Sequence, residues 1–163
     1  MKPESYDETT IKDFLLHLIE GWNRGSARDF AADFADDADF IAFDGTHLKG
    51  REQIISFHQT LFETALKGTR LEGGVHFVRF VGPTLAIMHS WVTTTLQGQT
   101  NLSPSRDSLQ MFVLTKRGEA WLCDALLSAR RVTMEQQLFA DEFSTLSSRD
   151  QRVIARRVAS MRH

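Results

Sequence analysis

Apolar residues recur at helical spacing early in the chain. Ile11, Phe14, Leu15, Leu18, Ile19 and Trp22 fall on one stripe, which predicts an amphipathic helix. Ser5 and Glu8 form a capping box at its start, and Gly25 supplies the left-handed residue that ends it. Ser26 is placed to cap a short second helix carrying Phe30, Ala31 and Phe34. A strand is predicted over Phe40–Phe43, a two-residue turn at Asp44-Gly45, and a returning strand over Thr46–Lys49. After Gly50 the helical period returns in Ile54, Phe57, His58, Leu61, Phe62 and Ala65, closing at Gly68.

From residue 70 to 131 the pattern changes to strand-like runs over 71–81, 84–97, 106–116 and 120–132. Gly82-Pro83, the polar loop 98–105 and Arg117-Gly118 join them. Short links between consecutive strands predict antiparallel hairpins. Helices followed by strands give an α+β fold: N-terminal helices packed on a strongly curved antiparallel sheet around a pocket. Beyond residue 132, Thr133 and Gln136 open a helix through Phe143, and Ser148 caps another with Val153, Ile154, Val158 and Met161 as its apolar side. The expected division is 1–132 for the core domain and 133–163 for a C-terminal helical extension.

At 163 residues the chain fits one domain with some decoration. A net charge of −2 argues against a nucleic-acid partner. The lone Cys123 permits no internal disulfide and suits a reducing compartment. The first ten residues hold no apolar signal core, and no run is long enough to span a membrane. A cytoplasmic protein without membrane contact is the expectation. Asp29, Asp33, Asp36, Asp37 and Asp39 crowd one stretch, and Arg149, Arg152, Arg156, Arg157 and Arg162 crowd the tail. They read as solvated faces, or as faces that meet within a chain or between subunits.

Candidate chemistry lies in polar residues at apolar phase. His58 interrupts the apolar stripe of the third helix. On the run 84–97, Leu85, Ile87, His89, Trp91 and Thr93 share a face opposite Ala86, Met88, Ser90 and Val92. His89 is therefore read as pocket-facing, and His76 sits similarly among Val75, Phe77 and Val78. Arg106, Ser108, Gln110 and Phe112 share a face, and Asp124 alternates with Leu122 and Leu126. His89 and His58 are the candidate proton-transfer groups; the competing reading makes each a satisfied core residue. Trp22, Phe43, Phe57, Phe62 and Trp91 are taken as apolar walls, or as ordinary core. Cys123 reads as a small core residue. No phosphate loop, GxGxxG, HExxH, paired-cysteine or GxSxG pattern occurs, so no cofactor is expected. His47, His58, His76 and His89 have no diagnostic metal spacing.

Several short motifs point to a known group. These are Gly21-Trp22-Asn23, the Phe-Asp-Gly-Thr-His run at 43–47, Lys49-Gly50-Arg51, Phe57-His58, the hairpin from Val78 to His89, and Arg106-Asp107-Ser108. Over about residues 10–132 the chain resembles the SgcJ/EcaC-like branch of the nuclear transport factor 2-like (NTF2-like), or SnoaL-like, superfamily. The resemblance implies a cone-shaped domain with a deep pocket, dimeric through the outer face of the sheet. Relatives include steroid isomerases, polyketide cyclases, dehydratases, epoxide hydrolases and catalytically silent binding modules, so the fold leaves function open. An oxidoreductase label often attached to this branch finds no nicotinamide or flavin motif here. The last core strand of the branch often ends in a His-Asn-Thr-Arg-like run; here it reads Leu127, Ser128, Ala129, Arg130, which predicts a less polar pocket end. The isomerases' oxyanion tyrosine has no counterpart, since the sole tyrosine is Tyr6.

Three functions are weighed. The first is a pocket for a small hydrophobic, oxygenated molecule, with acid–base chemistry of isomerase, cyclase or dehydratase type at His89 or His58. In it Arg106, Ser108 and Gln110 orient a carbonyl or hydroxyl. The second is a non-catalytic binding or dimerisation module, a homodimer pairing through Met88, Val92, Met111 and Val113. The third is a basic tail docking on an acidic partner.

Overall fold

A computed structural model describes residues 5–100, 106–131, 147–150, 152, 153 and 156. Helix α1 spans Tyr6–Asn23; its Ser5 Oγ accepts from the Glu8 amide at 3.2 Å, as the capping box predicts. Helix α2 is Ala27–Phe30, capped by Ser26, whose Oγ accepts from the Asp29 amide at 3.2 Å. Strands β1 (Phe34–Ile41) and β2 (His47–Lys49) precede helix α3 (Arg51–Glu63). Four long strands follow: β3 (Arg70–Gly82), β4 (Leu85–Thr95), β5 (Ser108–Arg117) and β6 (Ala120–Arg130).

The strands form one six-stranded sheet in the order β2-β1-β6-β5-β4-β3. Neighbours run antiparallel except β1 and β6, which run parallel. The sheet is therefore mixed, against the all-antiparallel expectation. The reason is connectivity: β1 and β6 are joined through α3 and the whole β3–β6 meander, so no hairpin fixes their sense. Strand β1 also begins six residues earlier than the apolar pattern suggested, and Phe34 belongs to it rather than to α2. Its acidic side chains point outward, while Phe34, Ala35, Ala38 and Phe40 are buried.

That acidic stretch is locally paired. Asp29 pairs with Arg24 at 3.3 Å, Asp33 with His17 at 2.7 Å, and Asp39 with His47 at 2.8 Å and Lys49 at 3.1 Å. Asp36 pairs with Arg51, and Asp37 lies 3.8 Å from Arg117.

Helix α1 lies on the inner sheet face. Phe14 meets Phe34 and Phe112 edge-on, with each pair of centroids 5.3 Å apart. Ile11, Leu15 and Leu18 bury with Ala86, Met88, Leu114 and Leu126. Asp7 ties the helix start to the sheet, accepting from Trp121 Nε1 at 3.0 Å and Lys116 Nζ at 2.9 Å. The register shifts in β3 between Val75 and Phe77 and, across the β5–β6 pair, between Val113 and Leu114. Such bulges bend strands and change which side chains face inward.

The chain divides into two units, Met1–Arg130 and Arg131–His163. Within the second, Ser147 Oγ accepts from the Asp150 amide at 3.2 Å, and helix begins at Ser148. The cap is thus Ser147, one residue before the expected Ser148. The helix expected over 133–143 and the apolar positions Ile154, Val158 and Met161 lie outside the described residues. Among the described residues no helix is long and apolar enough to cross a membrane.

Candidate functional site

The Gly21-Trp22-Asn23 run builds one wall. A Cβ at Gly21 would lie 2.2 Å from the Phe30 backbone nitrogen, so only glycine lets α1 and α2 cross this closely. Trp22 Nε1 donates to Thr69 Oγ1 at 3.1 Å, and its ring meets Phe62 edge-on at 5.3 Å. Asn23 bonds both backbone groups of Leu71, accepting from its N–H at 2.7 Å and donating to its carbonyl at 3.0 Å. Helix α1 is thereby stitched to the start of β3, with the indole held between them.

Between α1, α2 and α3 and the inner sheet face lies a cavity of about 370 Å³, at the small end of the usual range for small-molecule sites. Leu18, Trp22, Phe57, Leu61, Leu71 and Val92 make it chiefly apolar. His58 also lines it and is only 4% exposed. Its Nδ1 lies 2.8 Å from the Ile54 carbonyl. A carbonyl only accepts, so Nδ1 carries the proton and Nε2 is a bare acceptor in the neutral ring. Phe30 packs against the imidazole at 4.3 Å, tilted by 31°, with Phe40 edge-on at 5.1 Å. Burial pushes its pKa down to about 4, partly opposed by the bond to Ile54. At neutral pH the ring is uncharged.

The sheet contributes a polar band. Register aligns Ser90, Gln110 and Ser128 in one row and Val92, Ser108 and Arg130 in the next. Ser90 Oγ donates to Gln110 Oε1 at 3.1 Å, and among the described residues Gln110's amide nitrogen donates to none. At the mouth, the Arg130 guanidinium sits 3.8 Å over the Phe43 ring, a cation–π contact. Arg106 joins it there and donates to Gln99 Oε1 at 3.3 Å. Asp44 lines the same opening; its Oδ1 accepts from the Thr46 amide at 2.9 Å, which holds the carboxyl below its usual pKa.

Of the residues singled out from sequence, the cavity gathers Trp22, Phe43, Phe57, His58, Arg106, Ser108 and Gln110. It does not gather His89, His76, Trp91, Phe62 or Asp124. The phase of β4 is the reverse of the one expected. Ala86, Met88, Ser90 and Val92 are buried inward, whereas Trp91 is 40% exposed on the outer face beside His89. Met88 and Val92 are accordingly not outer-face residues; Met111 and Val113, opposite His89 and Ile87, are. Both faces of β4 are apolar, so alternation alone carries no direction.

His76 sits at the β3 bulge, stacked on His89 at 5.4 Å, with Phe77 at 5.3 Å from the same ring. Asp124 sits at the β6 bulge and is taken up by Thr115 and Arg117. That bulge resets the phase, turning Leu126, Ser128 and Arg130 inward. Leu127 then faces outward and is 49% exposed. Leu127, at the position of the branch's histidine, therefore does not line the cavity, whereas Ser128 and Arg130 do. Phe62 packs behind Trp22 in the core. Cys123 is fully buried, with Sγ 3.2 Å from the Ala125 carbonyl, and burial pushes its thiol pKa up. His47, His58, His76 and His89 do not converge, and among the described residues no three metal-capable side chains gather. Sequence reasoning missed Ser90, Ser128 and Arg130. Their signal was the β4–β5 register for Ser90 and the β5–β6 register for Ser128 and Arg130, which no single-strand pattern contains.

No family model matches the chain, and no curated protein matches it. Solved structures do. A domain of unknown function with a cystatin-like fold from Nostoc punctiforme is 50% identical over 98% of each chain, with a TM-score of 0.81. A ketosteroid isomerase-like protein from Erwinia carotovora is 15% identical, covering 80% of this chain and all of that one, at TM-score 0.64. An NTF2-like protein of unknown function from Shewanella oneidensis is 12% identical, covering 74% and 97%, at 0.63. The last two speak to the fold alone. The fold they share is the α+β, cystatin-like architecture of the NTF2-like class. The chain belongs to the family of the Nostoc punctiforme domain.

Proposed function

We propose that this protein binds a small, largely hydrophobic molecule in the cavity between its helices and the inner sheet face, and that His58 accepts a hydrogen bond from it. The observation that carries the reading is the imidazole itself. It is buried, neutral and fixed by Ile54, with Nε2 as an acceptor among mainly apolar neighbours. The ring lines the cavity with that acceptor unpaired among the described residues, and a ligand hydroxyl is a fitting partner. The Ser90–Gln110 pair supports the same reading by freeing the Gln110 amide nitrogen as a donor.

Calorimetric titration with naphthylethanol tests this. Wild type binds it, and His58→Phe, which keeps the ring's shape, binds it about tenfold more weakly. Equal binding by the two proteins would remove His58 from the site.

A second reading makes His58 a general base of the isomerase, cyclase or dehydratase type, since Nε2 is free to take a proton. A base with a pKa near 4 is weak at neutral pH, and neither His89 nor Asp124 shares the cavity to assist. Binding is therefore the better-supported function. The SgcJ/EcaC-like branch is the proposed subgroup, on the strength of the Gly21-Trp22-Asn23 and Phe57-His58 motifs. Homodimerisation through the outer sheet face is proposed as well, supported by Phe77, Trp91, Met111 and Leu127, each between 40% and 49% exposed.

A further inference from the structure

The mouth of the cavity has a charge that the protein does not balance. Arg106 and Arg130 both line it, and Asp44 is the single carboxylate among its lining residues. With His58 neutral, one positive charge is in excess. Neither guanidinium has a carboxylate within ion-pair distance among the described residues. Arg106 reaches the neutral Gln99, and Arg130 lies over the Phe43 ring. The Asp44 carboxylate is instead occupied by the Thr46 amide. Arg130's pKa is drawn below its ordinary value, first by burial and then by the charge of Arg106. The two cations therefore feel each other, and holding them together is unfavourable unless an anion joins them.

The surroundings favour a carboxylate. Ser108 is the direct cross-strand neighbour of Arg130, which adds a hydroxyl donor beside the guanidinium. The Phe43 ring, 3.8 Å from the guanidinium carbon, restrains the Arg130 side chain without using its N–H donors, which leaves that fork for a bidentate oxyanion. Phe43 and Asp44 are exposed whereas His58 is buried, so the cationic end is the entrance and the apolar end is the interior.

We infer that the ligand is an amphipathic carboxylic acid: its carboxylate is received by Arg106, Arg130 and Ser108 at the mouth, and its apolar body enters toward Phe57, Leu71 and His58. The inference rests on the cavity being a ligand site and goes beyond it by naming the head group. The acid's alcohol analogue separates the two claims, because it fills the same space without the charge.

The experiment is calorimetric titration of the full chain at neutral pH with two matched pairs, naphthylacetate against naphthylethanol and octanoate against octanol. Wild type is expected to prefer each acid by about tenfold or more, the scale of charge-assisted hydrogen bonds. Arg106→Gln and Arg130→Gln should each reduce that preference, and the double variant should abolish it, while alcohol binding persists and shows that the variants are folded. Arg130→Lys should keep the charge but lose the bidentate geometry, giving an intermediate preference. Equal affinity for acid and alcohol in wild type would overturn the carboxylate inference and leave the cavity reading standing. A preference surviving in the double variant would overturn it too. Binding of neither compound in either pair would overturn both.

Discussion

At the scale of single residues, His58 carries the most distinctive physical signature. Its pKa falls from 6.5 in the unfolded chain to about 4 in the fold, because burial penalises the charged ring. Between those values the unfolded state binds a proton that the folded state refuses, so stability rises with pH across that window. The stabilising difference is fully present above 6.5 and is lost as the pH falls toward 4. Its size is about 3 kcal/mol, from about 1.36 kcal/mol per pKa unit. Urea denaturation as a function of pH should show this slope in wild type. His58→Phe should flatten it, because a phenyl ring packs against Phe30 and Phe40 without titrating. An unchanged slope in that variant would mean the proton is taken up elsewhere. His58 was legible in the sequence because it breaks an apolar helical stripe. Arg130 was not, since its place at the mouth depends on the bulge at Asp124 and on pairing with Ser108.

At the scale of elements, the α1–α2 corner and its tie to β3 set the cavity wall. Gly21 has no room for a side chain, and the obstructing atoms are Phe30 backbone, which cannot swing aside. Gly21→Ala should cost about 1–3 kcal/mol or more in chemical denaturation. Wild-type stability in that variant would show that α1 and α2 can separate freely. Asn23→Ala leaves both polar backbone groups of Leu71 without their partner; the expected loss is about 1–3 kcal/mol. Its mark in hydrogen exchange should be faster exchange at the Leu71 amide.

The helices were readable from caps and stripes, since Ser5, Ser26 and Gly25 punctuate them locally, but α3 ends at Glu63 rather than running to Gly68. The positions of the four long strands were readable too, but not their facing, and β1 was legible only in its second half. On β4, apolar residues occupy both phases, and inward against outward is decided by which phase joins the core, here Ala86, Met88 and Val92. The parallel partnership of β1 with β6 has no local code, because it joins segments separated by most of the chain.

At the scale of the whole molecule, the sheet has two dissimilar faces. The inner one buries the core and the polar band. The outer one exposes Phe77, Trp91, Met111 and Leu127 around the stacked His76 and His89. A surface of this kind suits an isologous pairing, in which one patch meets its own copy. Wild type should sediment as a dimer, and Leu127→Glu with Met111→Lys should sediment as a monomer while still binding naphthylethanol. A wild-type monomer at working concentration would contradict the pairing. The same division explains why the sequence pointed to a pocket but misassigned part of its lining: the periodicity predicted two faces and the structure chose which was inner.

The most direct test of the central claim is a crystal structure of the protein grown with naphthylacetate. The account predicts the naphthyl ring among Trp22, Phe57 and Leu71, with the carboxylate against Arg106 and Arg130. Saturating ligand that leaves this cavity unfilled, or that binds only on the outer sheet face, would contradict it.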